Sequence, residues 1–428
     1  MSAASEDPHQ GRSEHPIAGH LDRARAERLL GEAGLDALLL IQPESVAYAS
    51  GAFPGIATSW RQAAAAMLLV PADARDPPLA IVGDLQAADF QAASGLADVR
   101  THPIWVDVCD AAGIRGPAHP RPTTFDPWGA LSLLQQALAE RGLSGGRIGT
   151  EYAFLPVADA AAFAQACPDV RWSDASEIVA RLRMVKSPRE LELLRVAGLA
   201  AEAGVRALMN AARPGLDSAA FATIWREAAL REAERLGARG PVGSWAYVSV
   251  GPDGFAPGGP ARPGDLVKVD VGCVVQGYSS DSARTFSIGK PSREALAIYA
   301  ALHASFEAGL AHLKPGALLR DVHTAATAAM HGRGFTAYSR GHFGHGLGAS
   351  IWSEEWPFIG ADADVVIEPG MVLAFETPWY VRGVGALMIE DQFAITPDGP
   401  EPLWSLSRNL VELATGAERP RGDGSREG

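Results

Sequence analysis

One pattern occurs twice in the second half of this chain, and it constrains the fold more than any other feature. A helical stretch begins at Ser187 and stops at Arg213-Pro214-Gly215; a second follows over about Asp217–Leu236, and then comes the segment Asp265–Phe286, DLVKVDVGCVVQGYSSDSARTF. The same order recurs with a helix from Ser292 to about Leu313, a stop at Lys314-Pro315-Gly316 lying 101 residues after the first, a helix to about Met330, and a paired-strand segment over Gly370–Thr396. The first helix carries its own start signals: Ser187 as N-cap, Pro188 at the first helical position and Glu190 to close a capping box. Leu191, Leu194, Ala197, Ala201, Val205 and Leu208 then mark one apolar stripe. Self-similarity at a fixed offset predicts two α/β halves packed about a pseudo-twofold axis.

Each repeat ends in a β-hairpin pattern that carries two carboxylates. In the first, Leu266–Cys273 is an apolar, β-branched run, the turn lies over Val275–Gly277, and the chain returns from Tyr278. Asp270 and Asp281 lie symmetrically about the 275/276 midpoint, which predicts cross-strand partners with Cβ atoms roughly 4.5–5.5 Å apart. In the second, Glu376 and Glu390 are symmetric about Gly383, 106 and 109 residues after the two aspartates. Like charges opposed across a ladder destabilise a sheet, and a cation between them removes the conflict. Between the second helix pair and its hairpin lies Arg340-Gly341-His342-Phe343-Gly344-His345-Gly346-Leu347-Gly348, read as a loop whose glycines let the backbone approach a bound group. His345 adds one imidazole to four carboxylates, and the five together predict a metal site. Glu354, Glu355 and Asp391 read as solvated charges.

A chain of 428 residues exceeds one ordinary core, so two domains are expected. The first half, from Leu21, alternates helices (Leu21–Gly34, near Leu85–Ala93, Trp128–Arg141, Leu155–Ala166) with strands (Asp36–Gln42, Ala65–Val70, Leu79–Gly83). It shows no Gly-rich phosphate loop, no Ser-His-Asp spacing and no ligand cluster, and His102 and His119 read as loop histidines beside prolines. A formal charge of −13 argues against nucleic acid or an anionic membrane as partner. Cys109, Cys167 and Cys273 have no paired spacing, which fits a reducing compartment. No apolar run reaches the ~18–20 residues of a membrane span, and the polar start lacks a signal-peptide core; a cytoplasmic location is expected. The first ~20 residues and Gly416–Gly428 have the composition of disordered tails.

The motifs VDVGCVVQGYSSDSARTF, GHGLG, PGMVLAFET and MIEDQFAIT resemble the pita-bread metallopeptidases: methionine aminopeptidase, aminopeptidase P, prolidase and creatinase. The likeness covers about Leu21–Thr396, with the catalytic fold from about Ile178 and, before it, the extra N-terminal domain of the creatinase, prolidase and aminopeptidase P branch. The resemblance implies an α/β (α+β) architecture with domains 21–177 and 178–415, a homodimer, and two divalent metal ions, most simply Mn(II), with Co, Fe or Zn as substitutes. Its five metal ligands fall on Asp270, Asp281, His345, Glu376 and Glu390; Asp281 and Glu390 would bridge, and Glu376 would also be the general base. It further implies hydrolysis of a small peptide or amide of the Xaa-Pro type by a metal-bridging hydroxide. The family's additional histidines and arginine are replaced here: Pro257 and Trp352 stand at two histidine positions, Gly341 at a third with His342 displaced by one, and Met388 at the arginine. His342 is the candidate substitute, and Trp352 a candidate pocket wall. Those departures keep two other readings open: a non-peptidase member acting on a small compound as a C–N hydrolase or lyase, and a binding module without catalysis.

Overall fold

The computed structural model describes residues 19–415, apart from 110, 118, 241, 256 and 351–353. Two compact units divide between Arg183 and Met184, in the last turn of the helix Ser176–Met184.

In the first unit six strands run in the order Asp98–His102, Leu79–Gly83, Ala66–Pro71, Ala37–Leu40, Arg147–Thr150, Arg171–Asp174. Both pairings of Ala66–Pro71 are antiparallel and the other three are parallel. Ala37–Leu40 and Ala66–Pro71 are buried at every position, as strands covered on both faces must be. Leu131 and Leu134 of the helix Pro127–Glu140 and Phe163 of the helix Val157–Ala166 pack with Leu39, Met67 and Ile81 to make this unit's core. His102 is not a loop residue. It ends a strand, is buried, and its Nε2 lies 3.2 Å from the Ala65 carbonyl. His119 is exposed outside regular structure.

The second unit realises the repeat. Helix Pro188–Ala211 packs on Ser218–Arg235, and Arg293–Leu310 on Leu319–Gly332. The capping box forms: Glu190 N–H donates to Ser187 Oγ, and Ser187 N–H to Glu190 Oε2. Leu194, Ala197, Ala201, Val205 and Leu208 are buried as the stripe requires, while Leu191 is half-buried and Leu193 takes the inner position. The main path of the sheet is Glu355–Gly360, His342–Gly346, Val372–Glu376, Glu390–Thr396, Ser282–Ile288, Leu266–Val275, Val242–Val250. Outward from the central pair, Glu390–Thr396 and Ser282–Ile288, each side continues with its own hairpin partner and then with an earlier strand, Val242–Val250 on one side and His342–Gly346 on the other, where Glu355–Gly360 adds an outer strand. That mirrored order is the pseudo-twofold the repeat predicts. Phe306, Phe375 and Phe393 lie in the core of this unit with Leu302, Val322 and Ile395.

The two hairpins differ in register. Glu376 pairs directly with Glu390, as their symmetry about Gly383 predicts. Asp270 pairs with Ala283, so Asp281 is its diagonal neighbour and not its direct partner. The cause is the turn: Gln276 (φ 51) and Gly277 (φ 83) are its two central residues, a type I′ geometry centred one residue beyond the midpoint of the aspartates. Displacing a hairpin's centre by one residue moves every partner by two and keeps the same face. His345 also differs from expectation: it lies in a strand flanked on both sides, not in a loop. Gly344 makes the close pairing possible, with φ 131 and a site where a Cβ would stand 2.0 Å from the Ala374 carbonyl oxygen. No helix among the described residues is long and apolar enough to cross a membrane.

Candidate metal centre

Because cross-strand partners share a face, Tyr247, Asp270, Ala283, Glu390 and Glu376 form one row across five strands. Asp281 lies on that face, two residues before Ala283. His345, paired with Ala374, lies on it two residues from Glu376's level. The sheet thus gathers all five predicted residues on one surface. Opposite Asp281 sits Gly272, where a Cβ would meet the Trp245 indole and the Ser280 carbonyl oxygen at 2.3 Å. The bare position lets Trp245 lie against the strand and donate from Nε1 to Ser279 Oγ.

Three of the five converge. Ligand atoms of Asp281, His345 and Glu390 all lie within 4.8 Å of one another, and all three residues are buried. His345 Nε2 is 3.7 Å from Asp281 Oδ2. Its other nitrogen, Nδ1, faces the Gly346 carbonyl oxygen at 3.1 Å; a carbonyl can only accept, so Nδ1 carries a proton and Nε2 is the ring nitrogen turned toward the carboxylates. Glu390 Oε2 is buried and has no hydrogen-bond partner among the described residues. Burial, and then the charges of Asp281, Glu376 and Asp270, push the Glu390 carboxyl well above the usual carboxylate range. A buried oxygen with no donor, beside an imidazole oriented by a backbone carbonyl, is the arrangement a divalent cation satisfies. Carboxylates with one imidazole and no thiolate suit Mn(II), Co, Fe or Zn.

The remaining two carboxylates are held by basic side chains. Arg340 Nη2 donates to Glu376 Oε1 at 2.5 Å, and its Nε donates to the His342 carbonyl oxygen. Lys268 Nζ donates to Asp270 Oδ2 at 3.1 Å and lies 5.6 Å from the Tyr380 ring centroid. Burial pulls the Lys268 pKa down, but the surrounding acids, Asp270 first, outweigh it and hold it above the ordinary lysine value. Neither cation was assigned a role from sequence. Lys268 was visible as a charge within the apolar run LVKVDVG, at the spacing of two that shares a strand face.

His342 sits at the rim. Its Nδ1 accepts from the Gly344 N–H at 3.3 Å and lies 3.9 Å from Glu376 Oε1, and its ring packs 5.3 Å from Phe358. Burial, opposed by Glu376 and reinforced by Arg340 and His345, lowers its pKa. The neutral ring therefore holds its proton on Nε2. Tyr380 is met edge-on by the exposed ring of Phe255. Met388 is buried, its N–H donating to Thr285 Oγ1, and Pro257 is exposed. Trp352 lies outside the described residues. Asp391 is not solvated: it is buried, bonded by Arg284 and Arg408 at 2.5 Å and by the Trp404 indole. Glu355 is also largely shielded, near Lys186, whereas Glu354 is exposed.

Known proteins share this architecture. Residues 192–397 match metallopeptidase family M24, and residues 23–185 match the creatinase/prolidase N-terminal domain. The chain is 27% identical over 267 residues to the uncharacterized peptidase YqhT of Bacillus subtilis, covering 62% of this chain and 75% of that one. It is 28% identical over 290 residues to an Xaa-Pro dipeptidase of Lactobacillus delbrueckii, covering 67% and 77%. The solved Xaa-Pro dipeptidase from Bacillus anthracis superposes with a TM-score of 0.74 over 91% of this chain and 99% of its own, at 22% identity, a likeness of fold. Two adjoining family matches in the expected order, over residues 23–185 and 192–397, make this chain a member of the M24 metallopeptidase family with a creatinase/prolidase-type N-terminal domain.

Proposed function

We propose that the chain is a metal-dependent hydrolase that cleaves a small peptide or amide, of the Xaa-Pro dipeptidase type. The observation that carries this reading is the buried cluster of Asp281, His345 and Glu390, with Glu376 directly across the ladder from Glu390. Asp281, His345 and Glu390 would hold the cation, which supplies Lewis acidity toward a substrate carbonyl and acidifies a water. Mn(II) suits the donor set. Glu376 is the general base: Arg340 occupies its Oε1, so Oε2 takes the proton of the attacking water and returns it to the leaving amine. His342 Nε2–H is a neutral donor beside this base and would hold the substrate carbonyl, a role the family gives to histidines absent here. Trp352 is proposed as a wall of the substrate pocket.

The test is a panel of Xaa-Pro dipeptides and longer Xaa-Pro peptides, offered to the Mn(II)-loaded protein beside small amides and betaine- or creatine-like compounds. Release of the residue before proline is the expected result. Pro257 and Met388, standing at a family histidine and arginine, favour a second reading as a C–N hydrolase or lyase of a small compound. Turnover of that compound with no cleavage of any peptide would establish the second reading against the first.

A further inference from the structure

Lys268 stands inside the apolar strand Leu266–Val275, between the fully buried Val267 and Val269, and is itself 3% exposed. The period of two along a strand sets it on the face of Asp270, and its Nζ is bonded to Asp270 Oδ2 at 3.1 Å. Arg340 stands in the same relation to Glu376. The four acids of the centre therefore divide into an outer pair, each already bonded to a basic side chain, and an inner pair facing His345 Nε2. We propose that the centre binds one divalent cation tightly, at Asp281, His345 and Glu390, and that the Lys268 ammonium holds the Asp270 side in place of a second metal ion.

Two physical arguments carry this. Four carboxylates against the two cations Lys268 and Arg340 leave two negative charges, which one divalent ion balances with His345 neutral. An ammonium bonded to Asp270 also repels a doubly charged ion entering beside the same carboxylate, and in a buried site little solvent screens that repulsion. Lys268 has no easy way to withdraw: its side chain is enclosed, and leaving Asp270 would strand a buried charge without its partner. The inference rests on the metal reading of this centre and on no particular substrate.

The experiment counts metal. The purified full chain is stripped, loaded with Mn(II), freed of loose ion by gel filtration and analysed for manganese by mass spectrometry and by electron paramagnetic resonance, with no substrate present. One ion per chain with an isolated-ion spectrum is expected. Lys268→Met is expected to gain a second ion, its Kd falling about tenfold or more with the repulsion removed, and the spectrum of a coupled pair. Lys268→Arg, which keeps the charge, is expected to stay at one. Two tightly held ions in the unaltered chain overturn the inference and leave the hydrolase reading standing; no bound ion overturns both. A folded Lys268→Met variant still holding one ion overturns the assignment to Lys268. Should that variant not fold, the count on the unaltered chain decides. Failure to cleave Xaa-Pro peptides, with one ion bound, removes only the hydrolase reading.

Discussion

Glu376 and Glu390 are cross-strand partners with opposite surroundings, and the difference suits them to different proposed roles. Glu390 has a buried oxygen with no donor among the described residues, whereas Glu376 has one oxygen fixed by Arg340 and is the less buried of the two. A carboxylate that keeps one oxygen fixed and one available is suited to move a proton; one enclosed among other acids is suited to a cation. Glu376→Gln keeps the shape and the Arg340 contact while removing the base. It is expected to lower kcat by roughly 10²–10⁴ with the fold intact by circular dichroism; activity within a few-fold of normal would remove Glu376 from that role. His342→Gln retains a donor without an imidazole and is expected to cost less than His342→Ala, for which a loss of about 10² in kcat fits a missing carbonyl donor. Equal losses in both variants would mean that His342 only packs against Phe358.

At the scale of elements, positions that carry no functional group decide where the functional ones stand. Gly344 allows the strand His342–Gly346 to lie against Val372–Glu376. Gly344→Ala must force a Cβ into the Ala374 carbonyl at a backbone conformation unfavourable to L-residues, a cost of about 2–5 kcal/mol. The expected outcome is a lower Tm together with lost metal binding, since His345 follows immediately; retained metal affinity would show that the strand tolerates the shift. Ser187→Ala removes only one half of a capping box and no candidate ligand. It is expected to cost ~1 kcal/mol in denaturant unfolding and to leave metal content unchanged.

The proposed centre draws its candidate ligands from both halves of the repeat, so a bound cation would couple stability of the second unit to metal supply. Saturating ion at about 100 times its Kd should stabilise folding by ~2.7 kcal/mol, and a chelator should reverse the rise in Tm. The pH dependence follows from Glu390. Its folded pKa is raised, so the metal-free protein has this group's full contribution below the ordinary glutamate value of about 4.3 and loses it as pH rises through the raised value. A bound cation would take the place of the proton. The Tm of metal-free protein should therefore fall over that window more steeply than that of loaded protein, and metal affinity should weaken as pH is lowered through it. Parallel pH profiles with and without metal would count against proton–metal exchange at Glu390.

Much of this was legible in sequence, for local reasons. The capping box at Ser187, the αL stop at Gly34 and the Glu376–Glu390 pairing depend on residues a few positions apart, or on a turn whose centre their symmetry gives. The five candidate ligands were marked by residue type and by a repeat spanning about 100 residues. What sequence could not supply was contact across strands and between halves. One residue's displacement of the Gln276–Gly277 turn made Asp281 the diagonal neighbour of Asp270, and His345 became part of a strand because Gly344 permits close pairing with Val372–Glu376. The burial of Asp391 depends on Arg284 and Trp404, and the holds on Asp270 and Glu376 depend on Lys268 and Arg340. Sequence by itself determined which side chains could bind a cation, because donor chemistry belongs to each residue alone. Which of them face one another, and which are already held by a basic group, only the tertiary structure decided, because distance and desolvation are set by the packing of the whole sheet.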